Sequence, residues 1–216
     1  MKIINVGFKN YQDVYQLQLE TVAKVLEGAE DTLIVCSHPS IVTLGRKTEA
    51  SEVWGWQGET VQIERGGRAT YHGPGQIILY PIINLKNYNK NLEGFLFALE
   101  DSVINSLIAI GIKAQGNPDR NNPSQTGVWI DGLKVASVGV AVKSWVTYHG
   151  MALNFNHDEN AFKGINPCGK NADVMTSVEA ETDLIPERSV FEDMLVTNFI
   201  KELNKYKSLD PQISLS

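Results

Sequence analysis

RGGRATYHGPGQIILYP, Arg65 to Pro81, joins a glycine-rich, donor-rich segment to an apolar run. The paired glycines at 66 and 67 and the turn Gly73-Pro74-Gly75 let the backbone approach another molecule with no side chain in the way. Arg65, Arg68, Thr70, Tyr71 and His72 all carry hydrogen-bond donors. The apolar half continues as QIILYPIINL (76–85) and reads as a core strand, in which Pro81 points to a sheet edge or a bulge. A substrate loop feeding a core strand is the simplest reading. By itself it names no reaction.

Working outward, Val14, Leu17, Val22 and Val25 recur at helical spacing over 11–26, before Gly28. TLIVCS (32–37) reads as a buried strand, which makes Cys36 a small core hydrophobe. IVTLGRK turns at Gly45, Trp54 and Trp56 are placed over the edge of the core, and TVQIE (60–64) alternates as a strand. Downstream, Leu96, Leu99, Val103, Leu107 and Ile110 form the stripe of a helix over 92–110, ended by Gly111. Residues 116–125 are dense in turn formers and read as a surface loop.

VWI-Asp131-Gly132-LKVAS is the strongest hairpin signal, with the pair that favours a type I′ turn. In the returning strand, strict alternation puts Lys134, Ala136, Val138, Val140 and Val142 on one face. A lysine at the head of an apolar row either reaches a cleft or partner, because a lone buried lysine is costly, or snorkels to solvent beside the turn. The pattern leaves both open. TYHGMALNFN (147–156) is a further strand, interrupted at Gly150, where another backbone can come close. A last helix spans about 189–205, with Phe191, Leu195 and Phe199 four apart, and the final ten residues read as frayed. No linker divides the chain. One domain over 1–216 is expected, of the α+β class, with a mixed or antiparallel sheet and flanking helices.

The 216 residues, 43% of them hydrophobic, suffice for a core without disulfides or metals. No apolar run reaches a bilayer span and the start lacks a secretory h-region, so a cytoplasmic protein is expected. A net charge of −6 argues against a nucleic-acid binder. The two cysteines, Cys36 and Cys168, are expected to stay reduced.

Cys168 lies in Asn166-Pro167-Cys168-Gly169, where a proline fixes the backbone and a glycine opens space at the sulfur. An accessible thiol there is a nucleophile candidate, with a structural loop cysteine as the plain alternative. Lys134 is the candidate cation to raise its thiolate fraction. The four histidines show no metal-binding spacing, and neither a P-loop, a GxGxxG nor a GxSxG motif is present. No metal or cofactor is expected.

RGGRATYHGPGQIILYP, KVASVG, TYHGMALN and INPCG, in this order and with HPSIVTLGR upstream, resemble the lipoyl(octanoyl) transferases over about two thirds of the chain. The resemblance implies a biotin/lipoate protein ligase-like fold. It implies an acyltransferase that moves an octanoyl or lipoyl group from acyl carrier protein to a lysine of apo-lipoyl domains, those of 2-oxoacid dehydrogenases and the glycine cleavage H protein. It makes Cys168 the acyl-thioester residue and Lys134 its acid/base partner. It assigns substrate contact to Arg65, Gly66, Gly67, Arg68, Ala69, Thr70, Tyr71 and His72, to Ser137, Val138 and Gly139, and to Gly150, Met151 and Ala152. His149 matches the histidine of the same His-Gly motif. The departures are Ala69, where a β-branched residue is common, and the irregular segment 116–125. An ATP-dependent lipoate or biotin ligase of the same fold would need no cysteine, and a non-catalytic lipoyl-domain binder would need neither Cys168 nor Lys134. An acidic carrier would need a local cationic rim on this acidic chain, for which Arg46, Lys47, Arg65 and Arg68 are candidates.

Overall fold

A computed structural model describes residues 1–119, 125–167 and 172–207. Its elements run β1 (Lys2–Phe8), α1 (Tyr11–Leu26), β2 (Thr32–Ser37), β3 (Ile41–Leu44), β4 (Glu59–Gln62), β5 (Thr70–His72), β6 (Gln76–Ile82), α2 (Leu92–Ala109), β7 (Gly127–Ile130), β8 (Leu133–Lys143), β9 (Val146–Asn154), α3 (Val178–Glu181) and α4 (Arg188–Asn204). Six strands form the main sheet in the order β1-β2-β6-β9-β8-β7, antiparallel except for β1 on β2. β4, β3 and β5 make a second, small sheet, inserted in the chain between β2 and β6. The α+β expectation holds.

The main sheet is covered on both faces. Leu33, Val35, Ile77, Leu79, Met151 and Leu153 face α2 and α4, where Leu99, Val103, Leu107, Phe191, Leu195 and Phe199 complete the larger core. Their alternates Ile34, Cys36, Ile78, Tyr80 and Ala152 face Val14, Val22 and Val25 of α1. Period-2 alternation through β2 and β6 thus serves two cores, which is why both strands read as unbroken apolar runs. Asn91 caps α2, its side chain accepting from Gly94 N at 2.8 Å, and Gly111 at φ +84° ends it. The stripe of α2 includes Phe95, fully buried, in place of the half-buried Leu96.

Three sequence expectations are corrected. Pro81 is not at an edge, since β6 lies between β2 and β9. Its missing N–H costs no ladder bond because pairing with β9 is registered only over Gln76–Leu79. Past that point Thr147 Oγ1 takes over, donating to Pro81 O at 2.7 Å and accepting from Ile83 N at 3.0 Å. Trp56 does pack on the small sheet's core, 5.7 Å edge-on to Tyr71, but Trp54 is 70% exposed. The third concerns Lys134 and is described with the site.

The loop expected at 116–125 falls partly on 120–124, outside the described residues, as do Cys168 and the residues after 207. No described helix is long and apolar enough to cross a membrane.

Candidate active site

A cavity of about 710 Å³ lies between the two sheets. One wall is the segment that leads into β5: Arg65, Gly66, Gly67, Arg68, Thr70 and His72 line it. The facing wall is Ser137, Val138 and Gly139 of β8 with Gly150, Met151 and Ala152 of β9. Tyr11, Tyr80 and His149 line it from α1, β6 and β9. Ala69 and Tyr71 do not line it. Alternation along β5 turns them into the small sheet's own core with Val42, Phe162 and Ile165, where Tyr71 shares hydrogen bonds with Ser40 (2.9 Å) and Asp158 (2.6 Å).

The glycine wall is sewn down on both sides. Gly66 N donates to Val140 O at 3.0 Å, and Lys47 N donates to Gly67 O at 3.0 Å. Arg65 is buried and forks, with Nη2 donating to Thr43 O and Thr43 Oγ1, both at 2.9 Å, and Nη1 to Gly66 O at 3.0 Å. The seat of that guanidinium needs glycine at two neighbours. A Cβ on Gly45 would stand 2.9 Å from Arg65 Nη1, and one on Gly139 3.2 Å from Arg65 Cδ. Arg68 pairs with Glu49 at 2.9 Å and with the buried Glu52. Of the expected cationic rim, Arg65 is therefore buried and Arg68 is paired, while Arg46 and Lys47 are exposed.

Three histidines cluster at the cavity, His72 and His149 in its lining and His38 behind them. Rings of His38 and His72 are 6.0 Å apart, and Tyr11 contacts both. Burial drives all three imidazoles, His38, His72 and His149, below their ordinary range. His149 is pushed down to about 3, with the Arg65 charge adding to burial. His149 also has a left-handed backbone, φ +56°, held by its N–H donating to Gln18 Oε1 at 2.8 Å. Next to it, a Cβ on Gly150 would stand 2.2 Å from Leu79 O, the close approach expected of that glycine.

Lys134 is only 2% exposed. It does not snorkel, nor does it share a face with Ala136. The β7–β8 register runs Trp129 to Lys134 and Val128 to Ala136, so Val135 is an extra residue, a β-bulge. The bulge reverses the phase of alternation. Ala136, Val138 and Val140 stay with the α2–α4 core, whereas Lys134 joins the face that carries Gly127, Trp129, Ser137 and Gly139. Its Nζ lies 5.2 Å from the centre of the Trp129 ring. Gly127 makes room for it, since a Cβ there would stand 2.6 Å from Lys134 Cε.

The described flanks of Cys168 are both anchored. Asn166 N donates to Glu52 O at 2.7 Å, and Trp54 N and Gly55 N both donate to Gly164 O. On the far side Met175 forms a parallel bridge with Lys134, and Thr176 N donates to Lys134 O at 3.0 Å. The chain thus returns to the buried lysine a few residues after the cysteine. Glu52, which ties Arg68 to Asn166, and Glu100, described below, gave no signal in the sequence: each is a carboxylate in an ordinary-looking loop or helix.

Residues 10–203 match the lipoyl protein ligase A/B catalytic domain. The chain belongs to that family. Among relatives of this lipoyl protein ligase A/B chain is an octanoyltransferase of Bdellovibrio bacteriovorus, 38% identical over 210 residues, covering 91% of this chain and 96% of that one. An octanoyltransferase of Geobacter metallireducens is 38% identical, covering 83% of each. Among solved structures, a lipoate-protein ligase A bound with ATP superposes with a TM-score of 0.74 at 14% identity, covering 94% of this chain and 85% of that one. A biotin protein ligase of Aquifex aeolicus gives 0.55 at 15% identity, covering 95% and 70%. These two share the fold, as expected for a lipoyl protein ligase A/B domain.

Proposed function

We propose that this chain is an octanoyltransferase of protein lipoylation, acting as one catalytic unit in the cytoplasm through a thioester on Cys168. The observation that carries the reading is the bulge at Val135, which turns a buried lysine to the face of the cavity wall and beside the segment that follows Cys168. The octanoyltransferase relatives at 38% identity support the acyl group.

In the first step the Cys168 sulfur attacks the thioester carbonyl of octanoyl-acyl carrier protein. A carbon–sulfur bond forms to Cys168 and the bond to the carrier's thiol breaks, the carrier leaving with the proton that Lys134 took from Cys168. Exchange of one thioester for another is nearly balanced, so positioning is the main requirement. In the second step the ε-amine of a lipoyl-domain lysine attacks the acyl-enzyme. A carbon–nitrogen bond forms, the bond to Cys168 breaks, and Lys134 relays the amine's proton to the departing thiolate. Arg65, Gly66, Gly67, Arg68, Thr70 and His72 on one side and Ser137, Val138, Gly139, Gly150, Met151 and Ala152 on the other form the acyl slot.

The test is intact-protein mass spectrometry after incubation with octanoyl-carrier and without ATP. The expected result is a gain of one octanoyl group, discharged by an apo-lipoyl domain and lost in Cys168→Ser. An unchanged gain in Cys168→Ser removes the covalent route. Acylation that requires free octanoate and ATP replaces it with ligase chemistry.

A further inference from the structure

Glu100 is a carboxylate at 3% exposure in α2, next to the core residue Leu99. Such a group is costly to bury unless charge-assisted hydrogen bonds offset its desolvation. Its Oε1 accepts from Gly127 N at 2.8 Å, and its Oε2 accepts from Asn117 N at 3.4 Å. Gly116 lies against the same carboxylate, where a Cβ would stand 2.8 Å from Oε2. The two segments it holds are also paired with each other, Gln115 and Trp129 exchanging backbone hydrogen bonds at 2.9 and 2.8 Å.

Gly127 is the residue on which Lys134 rests. It has φ +140°, and the space a side chain would fill there is taken by Lys134 Cε and, at 2.2 Å, by Ala136 O. Trp129, two residues on, presents its ring to Lys134 Nζ. The carboxylate on α2 thus fixes the strand end that seats the lysine, without itself lining the cavity.

We propose that Glu100 is a positioning residue for acyl transfer, setting the Lys134 side chain through Gly127. This rests on Lys134 being the proton carrier for Cys168. A carboxylate that served only to hold α2 against β7 would leave the reactivity of the thiol untouched, and the two roles separate on that point.

The test measures the rate of Cys168 alkylation by iodoacetamide against pH, read at the peptide by mass spectrometry. It compares the full chain with Glu100→Gln, Glu100→Ala, Lys134→Met and the double variant Glu100→Gln/Lys134→Met, each checked for folding by circular dichroism. Lys134→Met is expected to move the midpoint up by about one pH unit, the scale on which a neighbouring cation acts on a thiol. Glu100→Gln, isosteric but with one acceptor oxygen, is expected to move it in the same direction by about half as much, and Ala by more. The double variant is expected to match Lys134→Met alone, because coupled residues do not add. A shifted Lys134→Met profile with wild-type profiles in both Glu100 variants overturns this inference alone, as does full additivity in the double variant. An unmoved Lys134→Met profile overturns the reading of Lys134 and this inference with it. If Ala does not fold, Gln decides.

Discussion

The Tyr15 ring lies parallel to the imidazole of His149, 5.5 Å between centres at an interplanar angle of 9°, while the Tyr15 hydroxyl donates to Glu64 at 2.5 Å. The stack covers one face of a ring that is only 2% exposed, and burial keeps that imidazole neutral. Its ordinary pKa near 6.5 falls to about 3 in the fold, burial being the larger cause and Arg65 the next. Between those values the unfolded chain binds a proton that the folded chain refuses. Stability is therefore full above about pH 6.5 and declines as pH falls toward 3, by about 1.4 kcal/mol per pH unit for each such group. His38 and His72, also lowered by burial, act with the same sign. Urea unfolding midpoints at pH 7.5 and pH 5 are expected to differ strongly. In His149→Gln the pH slope is expected to drop by one proton, and an unchanged slope would contradict the neutral imidazole.

Gly127→Ala is expected to cost activity beyond its cost in stability. The new methyl meets Ala136 O at 2.2 Å and Lys134 Cε at 2.6 Å, from a backbone at φ +140°. Overpacking and backbone strain together are worth roughly 2–5 kcal/mol. The lysine is the softer of the two obstacles and moves first. Thermal melts paired with single-turnover acylation check this; a variant that loses stability but acylates at the wild-type rate would sink it.

Arg65→Lys keeps the charge and loses the fork. A lysine cannot serve Thr43 O, Thr43 Oγ1 and Gly66 O together from the same seat. The expected cost is about 1–3 kcal/mol of stability, with a raised KM for the acyl donor as the Gly66–Gly67 wall loosens. Unchanged KM and melting temperature would show that the fork is dispensable.

Acyl-chain selection is expected to be graded. Each methylene removed from the donor forfeits about 0.8 kcal/mol of apolar burial, about a fourfold loss in kcat/KM. A series of hexanoyl, heptanoyl and octanoyl carriers checks the slope; equal values across the series would mean the slot does not enclose the chain end.

The sequence pattern carried the elements far and their relations less far. Apolar periodicity marks α1, α2 and α4, and Asp131-Gly132 marks the β7–β8 turn, where both residues indeed have positive φ, 45° and 89°. Pro81 misleads, because a rule about a missing N–H cannot see that Thr147 bridges the gap from another strand. Lys134 shows the deeper limit. Alternation is a local rule, and the extra residue at Val135 that breaks it is fixed by pairing with β7, not by its own composition. Glu52 and Glu100 are invisible for a similar reason: a carboxylate is read as exposed until the backbone N–H groups that donate to it are known. The motif that draws the eye, Arg65 to His72, proves to be a wall in two layers, six residues toward the cavity and Ala69 and Tyr71 away from it.

The place of β6 in the main sheet bears on how this molecule is made. Its neighbours are β2, encoded some forty residues earlier, and β9, encoded some seventy residues later. Pairing with β2 needs only residues already made when β6 is complete, whereas pairing with β9 needs residues up to 154. The hairpin of β7 and β8, by contrast, pairs strands only a two-residue turn apart, which keeps the loop closure for that pairing short. The lysine thus lies on a strand paired with its sequence neighbour, whereas the cavity beside it is complete only once β9 is in place.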